Sequence, residues 1–343
     1  MATTPTNFSI FVSNANTYIG EVYEETNADI GILYEEFMTT MPSSSSQNIY
    51  AWTQMIPKPR LWAGPRVVVE PSALTYTLVN RPWELTVGID RFMLDDDQFG
   101  VYYRMLIDQA RQLRRLPDYW GRDLLEATGV YASGQPGSPQ NGLDGTPFFG
   151  TAHVVDPYNP NTTTYCNDFT GGGQSIAGGV PGGSGSNITV GGTFGVTAFA
   201  TLYEYMLREL GEDLEPLGVV PNKLMVPVTL KTEAELVLKS SFFAPPAFAT
   251  INNQVGAADN PFLRFGVQLM VNPYLTSGTK WYLMDTQRTI KPMIWQLREA
   301  STIIPRVNMQ DPVSFDTHRY LWGGEGRGTP GWGYSFLMSR SGS

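Results

Sequence analysis

Hydrophobic residues in the first quarter of the chain follow first a helical and then an extended spacing. Over residues 30–38 they recur every three or four positions, which predicts one face of a helix. Residues 83–90 alternate strictly between apolar and polar side chains, and the β-prone run 74–79 precedes them. Turn-forming residues at 80–82 separate the two runs. The pattern over 66–90 therefore predicts a long, hairpin-like arm.

A helical spacing returns after three consecutive acids at 95–97, which suit the positive end of a helix dipole. We expect a helix over 97–116, the longest rigid element of the chain, which Pro117 ends. A second helical segment should follow over 118–129.

The second half of the chain has a different character. Residues 133–196 are rich in glycine and cannot build a core of their own. From residue 198 an α/β pattern predicts helices over 198–211 and 232–239. The predicted strands are 223–228, 265–271, 280–285 and 290–298. The last 40 residues are predicted to be irregular and aromatic.

Composition excludes several classes of protein. Of the 343 residues, 42% are hydrophobic and 16% charged, which is too apolar for a disordered chain. The net charge of −9 disfavours a protein that grips nucleic acid through its phosphates. A single cysteine, Cys166, excludes an internal disulfide framework and a metal site of several cysteines. No apolar run approaches about 18 residues, so the sequence predicts no membrane-spanning helix.

Patterns that would indicate catalysis or metal binding are weak. The acidic run 95–97 lacks the later oxygen ligands of a calcium loop, so we interpret it as a helix start. His153 and His318 lie far apart, and we expect both to be loop residues satisfied by backbone or water. The chain contains neither a G-x-S-x-G elbow nor a phosphate-binding glycine motif. We therefore predict no catalytic, cofactor-binding or metal-binding residues.

One cluster of basic side chains stands out. Arg111, Arg114 and Arg115 share one side of the predicted helix. Three roles are compatible with this arrangement: contact with phosphate, contact with acidic residues of a neighbouring subunit, or a solvated helix face. The sequence leaves the three interpretations open.

Several short motifs occur in an order that is typical of one family. Residues 60–66 (RLWAGPR) are similar to an R-x-W-x-G-x-R motif. Residues 83–87 (WELTV) are followed by Arg91, the acidic run 95–97 and the long helix. Further motifs lie at 143–149 with His153, and at 221–227, 272–275, 281–283 and 290–292. Together the set resembles the major head subunit of Mu-like tailed phages, the gpT-like family.

The resemblance implies an α+β fold of the Hong Kong 97 type. Such a subunit has an N-terminal arm, an extended β-loop, a long spine helix in a peripheral domain, and an α/β axial domain. On this chain the implied segments are an N-terminal arm at 1–57, an extended β-loop at 58–92, a peripheral domain with the spine helix at 93–155, a glycine-rich insertion at 156–196, an axial domain at 197–300, and a return to the peripheral domain with the C-terminal tail at 301–343.

The function implied by the resemblance is that of a major capsid protein, which is not an enzyme. Copies would assemble with one another into pentamers and hexamers of an icosahedral shell, enclosing double-stranded DNA without sequence-specific binding. Further partners would be a separate scaffold protein, a portal and decoration proteins, with no long N-terminal domain removed. Assembly would take place in the host bacterial cytoplasm, and the product would be the virion capsid, with no membrane or cofactor involved.

The arm at 60–90 cannot bury both of its faces within its own chain, so we expect it to lie across a neighbour's spine helix. The predicted subunit-contact residues are Arg60, Trp62, Arg66, Trp83, Glu84, Arg91, Arg111, Arg114 and Arg115. Some capsids of this fold weld their subunits by Lys–Asn isopeptide bonds. No lysine occurs between Lys58 and Lys223, which predicts a shell without covalent cross-links.

Two alternatives stay open at this stage. The tryptophans and acids would also suit a β-rich, carbohydrate-active phage enzyme or receptor-binding protein, with a concave aromatic site and two carboxylates about 5–10 Å apart. A protein-filled nanocompartment would keep the capsid fold and change only the cargo.

Overall fold

Helices and two main β-sheets make up the computed structural model, which describes residues 5–25, 31–53, 59, 61–62, 64–66, 68, 73–96, 100–131, 141–156, 164–170, 190, 192–243, 258–308, 310 and 312–342. The helices are α1 (Pro5–Glu24), α2 (Tyr34–Phe37), α3 (Arg91–Asp95), α4 (Val101–Glu126), α5 (Val196–Leu207), α6 (Lys231–Lys239) and α7 (Pro312–Thr317). The strands are β1 (Met38–Pro42), β2 (Gln47–Thr53), β3 (Ala73–Val79), β4 (Arg81–Asp90), β5 (His153–Val154), β6 (Thr164–Tyr165), β7 (Asp168–Thr170), β8 (Lys223–Val226), β9 (Phe242–Phe243), β10 (Ala258–Asp259), β11 (Gln268–Val271), β12 (Trp281–Met284), β13 (Met293–Arg306), β14 (Arg319–Trp332) and β15 (Met338–Gly342).

Helix α4 is the longest helix among the described residues and continues through Pro117. The predicted break at that residue is therefore wrong. Proline removes one backbone hydrogen bond and crowds the preceding turn, but here both halves of the helix are anchored. Leu113, Pro117 and Leu124 are buried on one face. The Asp118 carboxyl group accepts a hydrogen bond from the backbone N–H of Leu33. Twenty-six residues at 1.5 Å each make a rod of about 39 Å.

The N-terminal segment folds onto this rod. In α1 the buried side chains Phe11, Ala15, Ile19 and Val22 recur at helical spacing, and α1 packs against α4. The predicted helical patch at 30–38 is only partly correct. Its last residue, Met38, begins β1, and only α2 is helical among the described part of that range.

The first main sheet has the order β1–β13–β14–β4, in which β1 runs parallel to β13 and the other pairs are antiparallel. The predicted hairpin over 66–90 is wrong in its pairing, although both strands exist. Strand β3 pairs with β2, and β4 pairs with β14. Alternation along a strand indicates its two faces but carries no information about a partner more than 200 residues away.

Alternating glycines let the long helix approach this sheet closely. The last 40 residues, predicted to be irregular, contain β14 and β15. An added Cβ at Gly324 would lie 2.3 Å from Leu113 Cδ1, and one at Gly326 would lie 2.5 Å from Trp83 Cζ2. The glycines that weakened the strand signal are therefore the residues that the packing of α4 and Trp83 requires.

We expect Gly326→Ala to lower the free energy of unfolding by about 1–3 kcal/mol, because the new methyl group overlaps the Trp83 ring. Gly323→Ala on the same strand is the matched control, since its Cβ would meet nothing closer than 3.8 Å. Urea denaturation of both variants checks this. Equal stability losses would contradict the close-packing explanation.

The second main sheet has the order β11–β8–β12–β15–β7. Helices α5 and α6 contribute to the hydrophobic core beside it, together with Trp281 of β12. The two predicted helices and the predicted strands 223–228, 265–271 and 280–285 are confirmed here with shifted bounds, whereas the predicted strand 290–298 exists as β13 but belongs to the first sheet. Across the described ranges, no helix combines the length and the apolar character needed to cross a membrane.

Candidate subunit-contact surfaces

The segment that precedes β3 presents a small, preformed structure to solvent. The Trp62 Nε1–H donates to the Gly64 carbonyl at 2.9 Å, and the Arg66 guanidinium lies 5.2 Å from the centroid of the Trp62 ring. Gly64 has φ +87°, a value that side-chain-bearing residues rarely adopt. We call Trp62, Gly64 and Arg66 the clip. Arg60, also predicted as a contact residue, lies outside the described residues.

The clip leaves much apolar surface uncovered. Trp62 is 73% exposed and Leu61 is 90% exposed. Single exposed apolar side chains are ordinary, whereas contiguous exposed apolar surface marks interaction sites, and Leu61 and Trp62 adjoin each other here. Trp and Arg are also the residue types that contribute most binding energy at protein interfaces. The structure therefore places Trp62 and Arg66 where another molecule can reach them.

Trp83 is not available to a neighbour, so its prediction as a contact residue is corrected. It is 9% exposed, and its ring lies 5.5 Å from that of Trp120 and 5.9 Å from that of Trp295. Its indole N–H donates to Ser301 Oγ at 3.3 Å. The apolar alternation of β4 was correctly recognised, but the face that includes Trp83 belongs to the core of its own chain.

A groove with acidic walls opens where three strands of the first sheet meet. It has a volume of about 330 Å³ and is lined by Pro82, Trp83, Glu84, Glu299, Glu325, Gly326 and Arg327. Glu84 of β4 lies opposite Glu325 of β14, and Glu299 of β13 lies opposite Arg327. We call this the acidic groove. The sequence did not indicate Glu299 and Glu325 as contact residues, because the register of their strands was unknown. Of the three glutamates, only Glu84 was predicted at a subunit contact.

Arg91 is exposed at the first position of α3, and its backbone N–H donates to the His318 carbonyl at 2.9 Å. The Phe92 and His318 rings are 5.7 Å apart. Arg91 therefore lies at the opposite end of β4 from Trp83 and does not join the acidic groove.

The arginine cluster of α4 is held largely by contacts within its own chain, and its role at a subunit contact stays a prediction. Arg111 forms a bidentate pair with Glu25, with Nη2–Oε1 at 2.8 Å. Arg114 donates to the backbone carbonyls of Val22 and Glu25. Arg115 is half-buried, and its charge partly offsets the burial that raises the pKa of Asp118 to about 7. The cluster fastens the end of α1 to the long helix.

His153 is fully buried, contrary to the expectation of a loop histidine satisfied by backbone or water. Its Nδ1 lies 2.6 Å from Asp144 Oδ2, and its Nε2 lies 3.1 Å from Asn167 Oδ1. Burial alone would raise the pKa of Asp144, but hydrogen bonds from His153 and Thr146 outweigh it and lower that pKa. Asn167 Nδ2 donates to the Phe148 and Ser335 carbonyls. This network joins the 144–153 loop to the second sheet.

Two other buried ionisable groups, Cys166 and Glu209, are held in their neutral forms. Burial raises the pKa of the Cys166 thiol to about 11, so it is a poor nucleophile near neutral pH. Burial also raises the pKa of Glu209 well above its usual range, and neither of its carboxyl oxygens has a hydrogen-bond partner among the described residues. Within the same ranges, no group of three or more His, Cys, Asp or Glu side chains could hold a metal ion.

Comparisons with known structures identify the fold. The procapsid of bacteriophage JBD30 matches over 99% of this chain and 76% of its own, with a TM-score of 0.50 and 22% identity. The JBD30 capsid decorated with minor capsid protein trimers matches over 71% of this chain and 91% of its own, with a TM-score of 0.51 and 23% identity. The Hong Kong 97-type α+β fold is therefore confirmed.

Sequence comparisons identify the family. The major capsid protein of Escherichia phage Mu is 30% identical over 124 residues, which cover 36% of this chain and 38% of that protein. The aligned part thus spans about two fifths of that relative's length. The model of the Mu-like prophage major head subunit gpT family matches residues 12–177 and 266–342. Because these two ranges make up more than half of the chain, it belongs to the Mu-like prophage major head subunit gpT family.

Proposed function

We propose that this chain is the major capsid subunit of a tailed phage and assembles with copies of itself into pentamers and hexamers of an icosahedral shell around double-stranded DNA. The observation that carries the proposal is the exposed clip in a member of this family. Trp62 remains 73% exposed in the single chain, although the Arg66 guanidinium stacks on its ring. The subunit acts as a building block and not as an enzyme.

The physical basis of assembly is burial of this exposed surface on a neighbour. Fully burying a large apolar side chain contributes roughly 1.5–3 kcal/mol or somewhat more for a tryptophan. One such contact is modest, but each subunit in a closed shell is held by several neighbours at once, so weak contacts add to a stable particle. The net charge of −9 limits adhesion to the enclosed DNA.

Electron microscopy of the purified recombinant chain, alone and with a scaffold protein, tests this function. We expect rings or closed shells, and protected DNA in particles purified from infected cells after nuclease treatment. A chain that stays monomeric under both conditions would contradict the proposal. Particles filled with protein and free of DNA would favour the nanocompartment alternative. The fold itself argues against the β-rich enzyme alternative.

Further partners follow from the same role. A scaffold protein would guide curvature and a portal would occupy one vertex during assembly in the bacterial cytoplasm. The related JBD30 capsid is decorated with minor capsid protein trimers, which supports decoration proteins on the outer surface here. The final location is the virion capsid.

We expect mature particles boiled in detergent to give a single band at the mass of one subunit, without covalent oligomers. The segment between Lys58 and Lys223 contains no lysine, so the clip and β4 lack an amine for an isopeptide bond. Denaturing gel electrophoresis under reducing conditions checks this. A ladder of covalent oligomers would show that another pair of residues forms the cross-link.

A further inference from the structure

The buried His153 ring lies between two side-chain oxygens. Its Nδ1 is 2.6 Å from Asp144 Oδ2, and its Nε2 is 3.1 Å from Asn167 Oδ1. A neutral imidazole has one N–H donor and one bare nitrogen, whereas the charged ring has two donors. The number of protons on His153 therefore depends on whether both oxygens can only accept hydrogen bonds.

Asn167 is oriented so that its oxygen faces the histidine. Its Nδ2 donates to the backbone carbonyls of Phe148 at 2.7 Å and of Ser335 at 3.1 Å. Its Oδ1 accepts the backbone N–H of Gly150 at 2.8 Å. The opposite orientation of the amide would place its oxygen against two carbonyls and its NH2 group against an N–H. The Nε2 atom of His153 must therefore carry a proton to bond Asn167.

Asp144 is also restricted to accepting. The Thr146 backbone N–H donates to its Oδ1 at 3.1 Å, and the Thr146 hydroxyl donates to its Oδ2 at 2.7 Å. Although burial acts in the opposite direction, hydrogen bonds from His153 and Thr146 lower the pKa of Asp144, so the carboxylate is ionised near neutral pH. A bare Nδ1 would place its lone pair 2.6 Å from a carboxylate oxygen, which is repulsive. The Nδ1 atom of His153 therefore also carries a proton.

The titratable groups around the histidine ring leave Asp144 as its balancing charge. Tyr165 of β6 stacks on the ring with the centroids 5.1 Å apart, and burial raises the pKa of this tyrosine well above its usual value. Glu209 interacts electrostatically with Tyr165, and burial raises the pKa of Glu209 as well, so both groups are neutral near pH 7. Asp168 of β7 forms an ion pair with Arg340 of β15.

We propose that His153 is doubly protonated in the folded subunit and that this charge fastens the 144–153 loop to the second sheet in a pH-dependent way. Loss of either proton to water leaves a bare nitrogen facing an oxygen, and a buried polar group without its hydrogen bond destabilises the fold. Asn167, which bonds both the loop and the segment before β15, loses its contact with the ring. The fastening is present while His153 is charged and is lost as the pH rises.

Nuclear magnetic resonance of the unassembled subunit with 15N-labelled histidine tests the protonation state directly. The chain has two histidines, and His318→Asn removes the signals of the exposed one. Asparagine tolerates the positive φ of that position. At pH 7.5, where an unperturbed histidine with a pKa of about 6.5 is mostly neutral, we expect protons on both ring nitrogens of His153. A bare ring nitrogen at this pH would overturn the proposal.

Hydrogen exchange tests the consequence for the loop. The Gly150 N–H, which donates to Asn167, is the reporter. After correction for the intrinsic effect of pH on exchange, we expect its protection to fall roughly 10- to 100-fold as His153 loses its charge. The Met225 N–H in the buried strand β8 of the same sheet is the control and should keep its protection. Equal losses at both positions would indicate general unfolding and would contradict a local fastening.

Three substitutions separate the charge from simple packing. Asp144→Asn keeps an oxygen near the ring but removes the balancing charge, so the loss of Gly150 protection should move to lower pH. His153→Gln should make that protection independent of pH. Glu209→Gln changes the other buried acid and should leave the pH of the loss unchanged.

An unchanged pH of the loss in Asp144→Asn, or the natural pH dependence in His153→Gln, would overturn the proposal. Circular dichroism confirms that each variant folds. If a variant does not fold, the ring-nitrogen signals of the chain with His153 intact still decide the question. All of these measurements use the unassembled subunit, so their outcome does not depend on shell formation.

Discussion

Trp83→Ala is expected to lower the free energy of unfolding by about 3–5 kcal/mol, whereas Trp62→Ala should change it by no more than about 0.5 kcal/mol. The difference follows from burial. Trp83 is 9% exposed and packs against two other tryptophan rings, and Trp62 is 73% exposed. Removing the first ring leaves a cavity that the surrounding rings fill only partly. Urea denaturation of the unassembled subunit measures both values.

The same two variants should separate folding from assembly. Trp62→Ala keeps the subunit intact and is expected to abolish rings and shells, because the clip loses its aromatic surface. Trp83→Ala reduces the yield of folded subunit. Electron microscopy and light scattering at matched concentrations of folded protein provide the readout. Equal stability losses in the two variants, or normal shells from Trp62→Ala, would show that burial in the single chain does not distinguish their roles.

Sequence periodicity identified most elements of the fold but not their partners. The helical stripe before Pro117 and the alternation from Trp83 onward are local signals, and both elements exist. The pairing of β4 with β14 is a contact across more than 200 residues, and no local pattern encodes it. Strand β14 itself was missed because glycine and proline normally weaken a strand, and here close packing requires the glycines.

Because local patterns do not identify the partner of an element, one of the contact residues, Trp83, was predicted wrongly. A strand with one apolar face must bury that face, but the pattern does not say against which chain. For Trp83 the answer is its own core, and for Arg111 and Arg114 the partner is the end of α1. Trp62 was recognised through its motif, and its exposure makes it the clearest candidate. Glu299 and Glu325 could be recognised as lining the acidic groove only once the register of the sheet was known.

Asp118→Asn is expected to remove a large pH dependence of stability. Burial raises the pKa of Asp118 from 3.8 to about 7, and the hydrogen bonds from the Leu33 and Tyr34 backbone and the charge of Arg115 offset this only in part. The folded chain therefore keeps a proton that the unfolded chain releases above pH 4. This contribution to stability is fully present below about pH 4 and is lost as the pH rises to about 7.

The expected size of this effect is large enough to measure. A rise from 3.8 to about 7, at 1.36 kcal/mol per pH unit, corresponds to about 4 kcal/mol. Asparagine resembles the neutral acid and keeps an oxygen for the Leu33 N–H, so the variant should match the natural chain near pH 4 and exceed its stability at pH 8.

Denaturation of the unassembled subunit at pH 4, 6 and 8 measures this difference. Asp108→Asn, an exposed change on the same helix, controls for the loss of one charge. A constant difference between the Asp118 variant and the natural chain at all three values would mean that Asp118 is ionised in the folded state. In that case the ionised carboxylate, and not a neutral acid, would hold the 31–34 segment against α4 beside Pro117, and its substitution would loosen the N-terminal segment at every pH.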